Sequence, residues 1–281
     1  MINSQKYWVV KSLNHNGILA KTDQGKEVIL LGKGIGFGLK PDQEISGLDK
    51  NVKCYGLEND DESLHDIVKD SDPIFLEITS EIIAEAEKVF QNFDTNILIP
   101  LADHIAFSIE RIKGNTNITN PLTDDIKLLF KEEYKVAENA RRIIEEKIGF
   151  TISDDEIGYI SLHVHCGVTQ EKPVQSMQFA QIVHQTVSMV EEAFDITIDD
   201  DSVSYIRLLN HIKFLLVRLE RDEEVMISIS DYTEKEFPES FAISEKVCAY
   251  ISSLLRVELS SEEKGYLALH IEKVRHALID A

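Results

Sequence analysis

Four histidines sit at matched places in two halves of the chain. Residues 103–111 read Asp-His-Ile-Ala-Phe-Ser-Ile-Glu-Arg and residues 210–218 read Asn-His-Ile-Lys-Phe-Leu-Leu-Val-Arg, so the pattern x-H-I-x-F-x-x-x-R occurs twice. A second pair follows, Gly158-Tyr159-Ile160-Ser161-Leu162-His163 and Gly265-Tyr266-Leu267-Ala268-Leu269-His270. His104 and His211 are 107 residues apart, as are His163 and His270, and within each copy the two histidines are separated by 59 residues. A core position preserved by duplication has no need to be titratable, so the matching of all four points to chemistry. Imidazole is both neutral and nucleophilic near pH 7 and can accept a phosphoryl group and pass it on. That modification brings about −1.5 to −2 units of charge. Arg111 and Arg218 lie seven residues after His104 and His211, two helical turns along roughly the same face, where each can pair with such a group or with a carboxylate.

Other histidine chemistries fit the spacing less well. His163 and His165 would project about 200° apart on a helix and would not converge on one metal ion. There is no H-E-x-x-H and no Cys/His ligand spacing, and no G-x-S-x-G for a hydrolase. No metal and no cofactor is therefore expected. His15, His65, His165, His184 and His276 have no counterpart at the 107-residue offset and read as surface or turn residues, His15 lying in a candidate RNA loop.

The elements that must carry these side chains are helical. Ser80 reads as an N-cap for a helix with Ile82, Ile83, Ala86, Val89 and Phe90 on its apolar face. Segments Leu101–Ile112 (opening after Pro100), Asp124–Leu129 and Lys135–Ile148 continue in the same style. Ser153-Asp154-Asp155-Glu156 opens a helix with acid in its first turn, favourable to the helix dipole. The same 107-residue offset relates Phe130, Tyr134, Val136 and Ala140 to Phe237, Phe241, Ile243 and Val247. A repeat of that length is a duplicated domain of about five helices, not a solenoid unit. Breaks are expected near residues 56–73 and 167–173, with Pro173 stopping a helix. The runs Asp60-Asp61-Glu62 and Asp199-Asp200-Asp201 read as solvated faces or caps.

The first 56 residues are different. Tyr7–Leu13, Ile18–Lys21 and Lys26–Leu31 read as strands separated by Asn14-His15-Asn16-Gly17 and Asp23-Gln24-Gly25 turns, with a fourth strand near 43–46 or 52–55. Gly32-Lys33-Gly34-Ile35-Gly36-Phe37-Gly38 follows them, four glycines in seven residues. One reading is RNA binding, with Lys11, Lys33 and Lys40 on phosphates, Asn16 on base edges and Phe37 stacked on an unpaired base. The other is a tight hairpin with Phe37 in the core. Without a G-K-[S/T] ending the loop is not a nucleotide-binding P-loop. A sheet of roughly 55 residues is marginal alone, and dimerisation through one face would remedy that.

Charge divides the chain in the same place. Residues 1–56 hold 8 Lys and 5 Asp+Glu, a net of +3, while the remainder holds 21 Lys+Arg and 45 Asp+Glu, a net of −24. A basic head on an acidic body suggests one module for a polyanion and another for something else. Three scattered cysteines, no signal-peptide core and no long apolar run point to a reducing, cytoplasmic setting.

Taken together, these residues resemble the BglG/LicT/SacY family of transcriptional antiterminators, with details nearest the GlcT type. Lys11, Asn14-His15-Asn16, Gly25-Lys26-Glu27 and Gly32 to Phe37 are similar to its co-antiterminator RNA-binding domain, here residues 1–58. The two histidine-bearing copies, 68–170 and 175–281, are similar to its phosphotransferase-system regulation domains. The resemblance implies a multidomain architecture, a small antiparallel all-β head followed by two homologous all-α domains. It implies a homodimer that holds a hairpin RNA, the ribonucleic antiterminator in the leader of a sugar-uptake transcript, so that the overlapping terminator cannot form. It places Lys11, Asn14, Asn16, Gly32, Lys33 and Phe37 at the RNA surface. His104, His163, His211 and His270 would be phosphorylated by the carrier HPr or by a sugar permease (enzyme II), with no catalytic activity of the protein's own. Added charge would repack a two-state dimer. His15, Gly17 and Lys33 depart from the usual residues at their positions, and Asn210 stands where the first copy has Asp103, which predicts that the copies orient their histidines differently. A DNA-binding regulator and a histidine phosphocarrier enzyme are the rival functions; the β-rich head disfavours the first, and no sugar or nucleotide pocket motif supports the second.

Overall fold

The computed structural model describes residues 5–57, 72–223, 225 and 228–279. The run Asp60-Asp61-Glu62 and His65 lie outside them. The chain divides after Ser176 into two compact units.

The first unit opens with an antiparallel sheet of five strands: β1 (Tyr7–Ser12), β2 (Gly17–Thr22), β3 (Glu27–Leu31), β4 (Glu44–Ile45) and β5 (Lys53–Gly56), in the spatial order β4-β1-β2-β3-β5. Both of the stretches in which a fourth strand was expected are strands. Alternation builds the core: Tyr7 and Val9, Ile18 and Ala20, and Val28 and Leu30 point to one face, closed by Val52 and Ile35. The other face of the central strands, Leu19, Ile29, Leu31 and Tyr55, is also buried.

Five helices follow, α1 (Ile74–Val89), α2 (Leu98–Lys113), α3 (Thr123–Leu129), α4 (Lys131–Ile148) and α5 (Asp154–Thr169). Helix α5 packs on α2, α3 and α4, and α1 packs on α2 and α4. Ile78, Ile82 and Ile83 are fully buried on α1, each contributing roughly 1.5–3 kcal/mol by removal from water. Two helix starts differ from the sequence reading. Helix α1 begins at Ile74, so Ser80 is interior to it, not its cap, because Leu76 and Ile78 extend the apolar stripe one and a half turns upstream. Helix α2 begins at Leu98 with Pro100 inside its first turn, where a missing N–H costs nothing. Ser153 does cap α5, accepting the Glu156 N–H at 3.3 Å.

The second unit holds α6, which spans Pro173–Phe194 and begins just before the division, then α7 (Val203–Arg221), α8 (Ser230–Glu236), α9 (Pro238–Leu255) and α10 (Ser261–Ile279). Helix α10 packs on α7, α8 and α9, as α5 packs on α2, α3 and α4. The kink between paired helices is repeated too: Phe130 has φ −121° and ψ 51°, and Phe237 has φ −131° and ψ 55°. At Gly265 a Cβ would lie 2.7 Å from the Ser230 Cα, so α8 reaches α10 only because a glycine stands there. No helix among the described residues is long and apolar enough to cross a membrane.

Candidate functional site

In the first regulation domain the histidine pair forms where α2 meets α5. The His104 and His163 rings are 5.2 Å apart between centroids, and Tyr159 lies 5.8 Å from His104. Glu156, in the first turn of α5, is buried beneath them. Its Oε2 lies 3.3 Å from His104 Nε2 and accepts the Ser108 hydroxyl at 2.6 Å. Its Oε1 accepts Arg111 Nη2 at 2.8 Å, and Arg111 also donates to Ser108 Oγ at 2.9 Å. Burial alone would raise the Glu156 pKa, but hydrogen bonds from His104, Ser108 and Arg111 hold it at about 2. Burial, and then the neighbouring His104, push His163 down to about 3, so it is neutral at physiological pH.

The second domain repeats the site with one change. His211 on α7 and His270 on α10 stack at 4.5 Å, and Tyr266 is 6.3 Å from His211 in a parallel orientation. Arg218 grips Glu263 with both Nε and Nη2 at 2.7 Å. Among the described residues His211 Nε2 and His270 Nδ1 are buried without a hydrogen-bond partner. Burial, then His270 and Arg218, lower His211 to about 3; burial, then Lys273 and Arg207, lower His270 to about 4. The pair opens on a cavity of about 510 Å³ lined by Arg207, Asn210, His211, Arg218, Tyr266 and His270. Arg207 is exposed and its counterpart at the 107-residue offset is Pro100, so only the second site carries this cation.

The structure thus brings together each predicted pair of histidines with its arginine. It does not bring Asp103 into the first site: that side chain is exposed, and a second difference between the copies lies one turn further on, at Ser108 and Leu215. His165 is not the surface residue expected of an unmatched histidine. It is 13 % exposed, with Nδ1 2.9 Å from Glu133 and its ring 4.3 Å from Phe130. Among the described residues no group of three or more His, Cys, Asp or Glu could hold a metal ion.

On the head, the glycine-rich loop folds back on the β1–β2 turn. Gly36 approaches so closely that a Cβ would meet the Asn14 carbonyl oxygen at 2.0 Å. The Gly34 N–H donates to Asn16 Oδ1 at 3.0 Å, the Gly32 N–H to Asn16 O at 2.8 Å, and the Asn16 N–H to Asn14 Oδ1 at 2.8 Å. Phe37 is 75 % exposed and lies 5.7 Å from the His15 ring, which removes the reading of Phe37 as core. Lys11 and Lys33 are exposed on the same domain. With their oxygens committed, Asn14 and Asn16 have only their NH₂ groups to offer. Both are taken by one carboxylate of α1: Asn14 Nδ2 donates to Glu77 Oε1 at 2.7 Å and Asn16 Nδ2 to Glu77 Oε2 at 3.1 Å. Tyr55 to Ser80 at 2.7 Å and Lys53 to Glu87 at 2.6 Å tie the same side of the sheet to α1.

The sequence reading does not name Glu77, and it places Glu156, matched to Glu263 by the 107-residue offset, only as acid in a helix's first turn and not in the site. A signal existed for the latter: of Ser153-Asp154-Asp155-Glu156 and Ser260-Ser261-Glu262-Glu263, only the serine and the last glutamate recur.

A sheet with an exposed aromatic beside a glycine-rich loop, followed by two copies of a histidine-bearing helical domain, defines an RNA-binding regulator with duplicated control domains. Comparison with known proteins agrees: the CAT RNA binding domain matches residues 7–64, and the PRD domain matches residues 80–166 and 181–274. The chain is 27 % identical over 275 residues to the transcription antiterminator LicT of Bacillus subtilis, covering 95 % of this chain and 98 % of that one. It is 30 % identical over 273 residues to the GlcA/glcB genes antiterminator of Staphylococcus carnosus, covering 94 % of each. Among solved structures, the crystal structure of GlcT CAT-PRDI covers 58 % of this chain and 99 % of its own at a TM-score of 0.52 and 32 % identity. The chain belongs to the BglG/LicT family of transcription antiterminators, near GlcT. Its members are regulators, not enzymes.

Proposed function

We propose that this protein binds a hairpin RNA in the leader of a sugar-uptake transcript through Lys11, Asn14, Asn16, Gly32, Lys33 and Phe37. We propose further that it is controlled by phosphorylation at His104, His163, His211 and His270. The phosphoryl donors are phosphorylated HPr and a sugar permease, and the working form in the cytoplasm is a homodimer. The observation that carries the control half is the repeated site: in each domain a pair of histidines in ring contact beside a buried glutamate paired with a half-buried arginine, with at least one histidine held neutral. A neutral imidazole keeps a nucleophilic lone pair, and a nearby guanidinium suits the dianion that results. The RNA half is supported by Phe37, a large exposed aromatic next to a basic loop.

Incubation with phosphorylated HPr or permease domain, followed by peptide mapping, tests the first half. Label on at least one of the four histidines is expected, and label only elsewhere refutes it. Gel shifts against hairpin RNA and duplex DNA of matching sequence test the second, with preference for RNA expected and preference for duplex DNA refuting it. The asparagine contacts add a condition. Each NH₂ group gives one of its two protons to Glu77, so an RNA group that takes that proton, or a phosphate brought beside the carboxylate, competes with this contact.

A further inference from the structure

The two histidine sites differ in how the glutamate is shared. In the first, Arg111 uses Nη2 for both Glu156 and Ser108, and its buried Nε has no partner. In the second, Arg218 uses Nε and Nη2 on Glu263, and the buried atoms left without a partner among the described residues are His211 Nε2 and His270 Nδ1. The unpartnered polar atoms have moved from the arginine to the histidine pair. The one residue type at the contact that explains this is the residue four after the first histidine, Ser108 in one copy and Leu215 in the other. Ser108 receives an N–H from Arg111, so its own proton is free for Glu156 Oε2, and that bond holds this oxygen beside His104 Nε2. Leucine has no hydroxyl to do so, and Glu263 turns wholly to its arginine.

We propose that Ser108 and Glu156 are a positioning pair that fixes the His104 tautomer with its proton on Nε2, making Nδ1 the atom that accepts a phosphoryl group, and that the second domain lacks this device. This rests on the phosphoryl-acceptor reading above. The chemistry is that of acceptors. An ionised carboxylate has lone pairs only. A bare Nε2 at 3.3 Å from Oε2 would set lone pair against lone pair, whereas Nε2–H makes a charge-assisted bond. With Nε2 carrying the proton of a singly protonated ring, Nδ1 is the bare nitrogen, and among the described residues none of the hydrogen bonds of His104 is made through Nδ1. In the transfer, the Nδ1 lone pair attacks the phosphorus of a phosphohistidine on the donor protein. The new N–P bond forms as the donor's breaks, the donor imidazole leaves with the electron pair, and the Nε2 proton stays between His104 and Glu156. The positive charge that develops on the ring is met by that carboxylate.

Ring ¹⁵N shifts of His104 and His211 in the full-length chain, assigned by single-histidine labelling or by comparison with His→Gln variants, test the tautomers before any phosphorylation. Wild type should show His104 protonated at Nε2 and His211 without that bias. Ser108→Ala, which keeps the Arg111–Glu156 ion pair, should lose the bias at His104, and Leu215→Ser should create it at His211. After transfer from phosphorylated HPr, ³¹P spectra should place the phosphoryl group of His104 on Nδ1. A His104 protonated at Nδ1, a Ser108→Ala spectrum like wild type, or phosphorylation of His104 at Nε2 overturns the proposal. Absence of transfer to any of the four histidines would instead defeat the acceptor reading, while the tautomer result stands on its own. Circular dichroism on each variant separates a lost bias from a lost fold.

Discussion

Glu77 offers the sharpest test of how the helical part of the first unit meets the RNA-binding residues. Its carboxylate bridges the NH₂ groups of Asn14 and Asn16 at 2.7 and 3.1 Å, much as a phosphate would. Glu77→Ala removes both acceptors and leaves the asparagines in place. A hydrogen bond to a charged group contributes about 1.5–3 kcal/mol. The second bond is long, and the freed amides regain water on opening, so the contact is taken as worth about 1.5 kcal/mol of closure, or roughly a factor of ten. If RNA binds only the open form, its apparent Kd is the intrinsic one divided by the open fraction. Glu77→Ala should therefore tighten hairpin binding by about tenfold, up to the limit set by the remaining Tyr55–Ser80 and Lys53–Glu87 contacts. Removing a negative charge near RNA strengthens binding unspecifically, so a matched control is needed. Glu81→Ala supplies it: one turn away on α1, Glu81 bonds neither asparagine but shares Lys147 with Glu77, at 2.6 Å from Glu81 and 3.7 Å from Glu77, so both variants remove one carboxylate from the same cation and only one of them frees the asparagines. Fluorescence anisotropy with a labelled hairpin at fixed salt reads the difference. Equal affinities for Glu77→Ala and Glu81→Ala would refute the competition between α1 and RNA.

Three further outcomes are expected. Phe37→Ala should weaken hairpin binding by roughly 5- to 150-fold, since base stacking on an aromatic is worth roughly 1–3 kcal/mol, while leaving the head folded, because Phe37 is exposed; gel shift with circular dichroism reads both, and unchanged affinity excludes stacking. Arg207→Gln should lower transfer from phosphorylated HPr to the second domain by roughly tenfold without changing the first, where Pro100 holds the matched position; an equal loss in both domains would show that Arg207 does not act at this site. Stability should fall with acid in a window set by histidine. His163 and His211 have folded pKa values of about 3 against an ordinary 6.5, so their contribution is complete above pH 6.5 and is lost as pH falls toward 3. Each loses about 1.4 kcal/mol per pH unit below 6.5, or about 2 kcal/mol by pH 5, still above the ordinary 4.5 of Glu156, below which that carboxylate begins to lose its own contribution. Urea midpoints measured between pH 7.5 and 5 check this, and a flat profile would show that the histidines are not held neutral.

The duplication, the all-β head and the helix class of the body were legible in the sequence because each leaves a periodic trace. The 107-residue offset survives in apolar positions such as Phe130 and Phe237, and short β-branched and apolar runs between turn residues mark the strands, although β2 and β3 are buried on both faces. Helix starts were less legible. Ser80 has the chemistry of a cap, but Leu76 and Ile78 bury one turn earlier and decide the boundary. Glu156 was hidden by a local pattern that explains it too well. Ser153-x-x-Glu156 is the form of a capping box, in which the glutamate would turn back to the helix start; here the serine caps while the carboxylate turns inward to Arg111, Ser108 and His104. Glu77 left no trace, because its partners lie 61 and 63 residues away in another domain.

The residue before the first histidine differs between the copies, Asp103 against Asn210, and Asn210 lines the cavity beside His211 and His270 while Asp103 is exposed. Helix geometry points to a second difference. Neighbours in sequence point about 100° apart, whereas residues three and four apart share a face. Asp103 accordingly faces solvent, while Ser108, four residues after His104, lies against the same glutamate. One hydroxyl thus separates two sites built from the same histidine, arginine, glutamate and tyrosine. In the first, the carboxylate is divided between cation and imidazole. In the second it belongs to the cation alone, and the imidazoles face a cavity that carries a further arginine. On the proposal above, the first arrangement controls which nitrogen is bare, while the second leaves that open and places Arg207 where a phosphoryl group would arrive. On that reading a duplicated domain responds unequally to one donor without any change in its histidines.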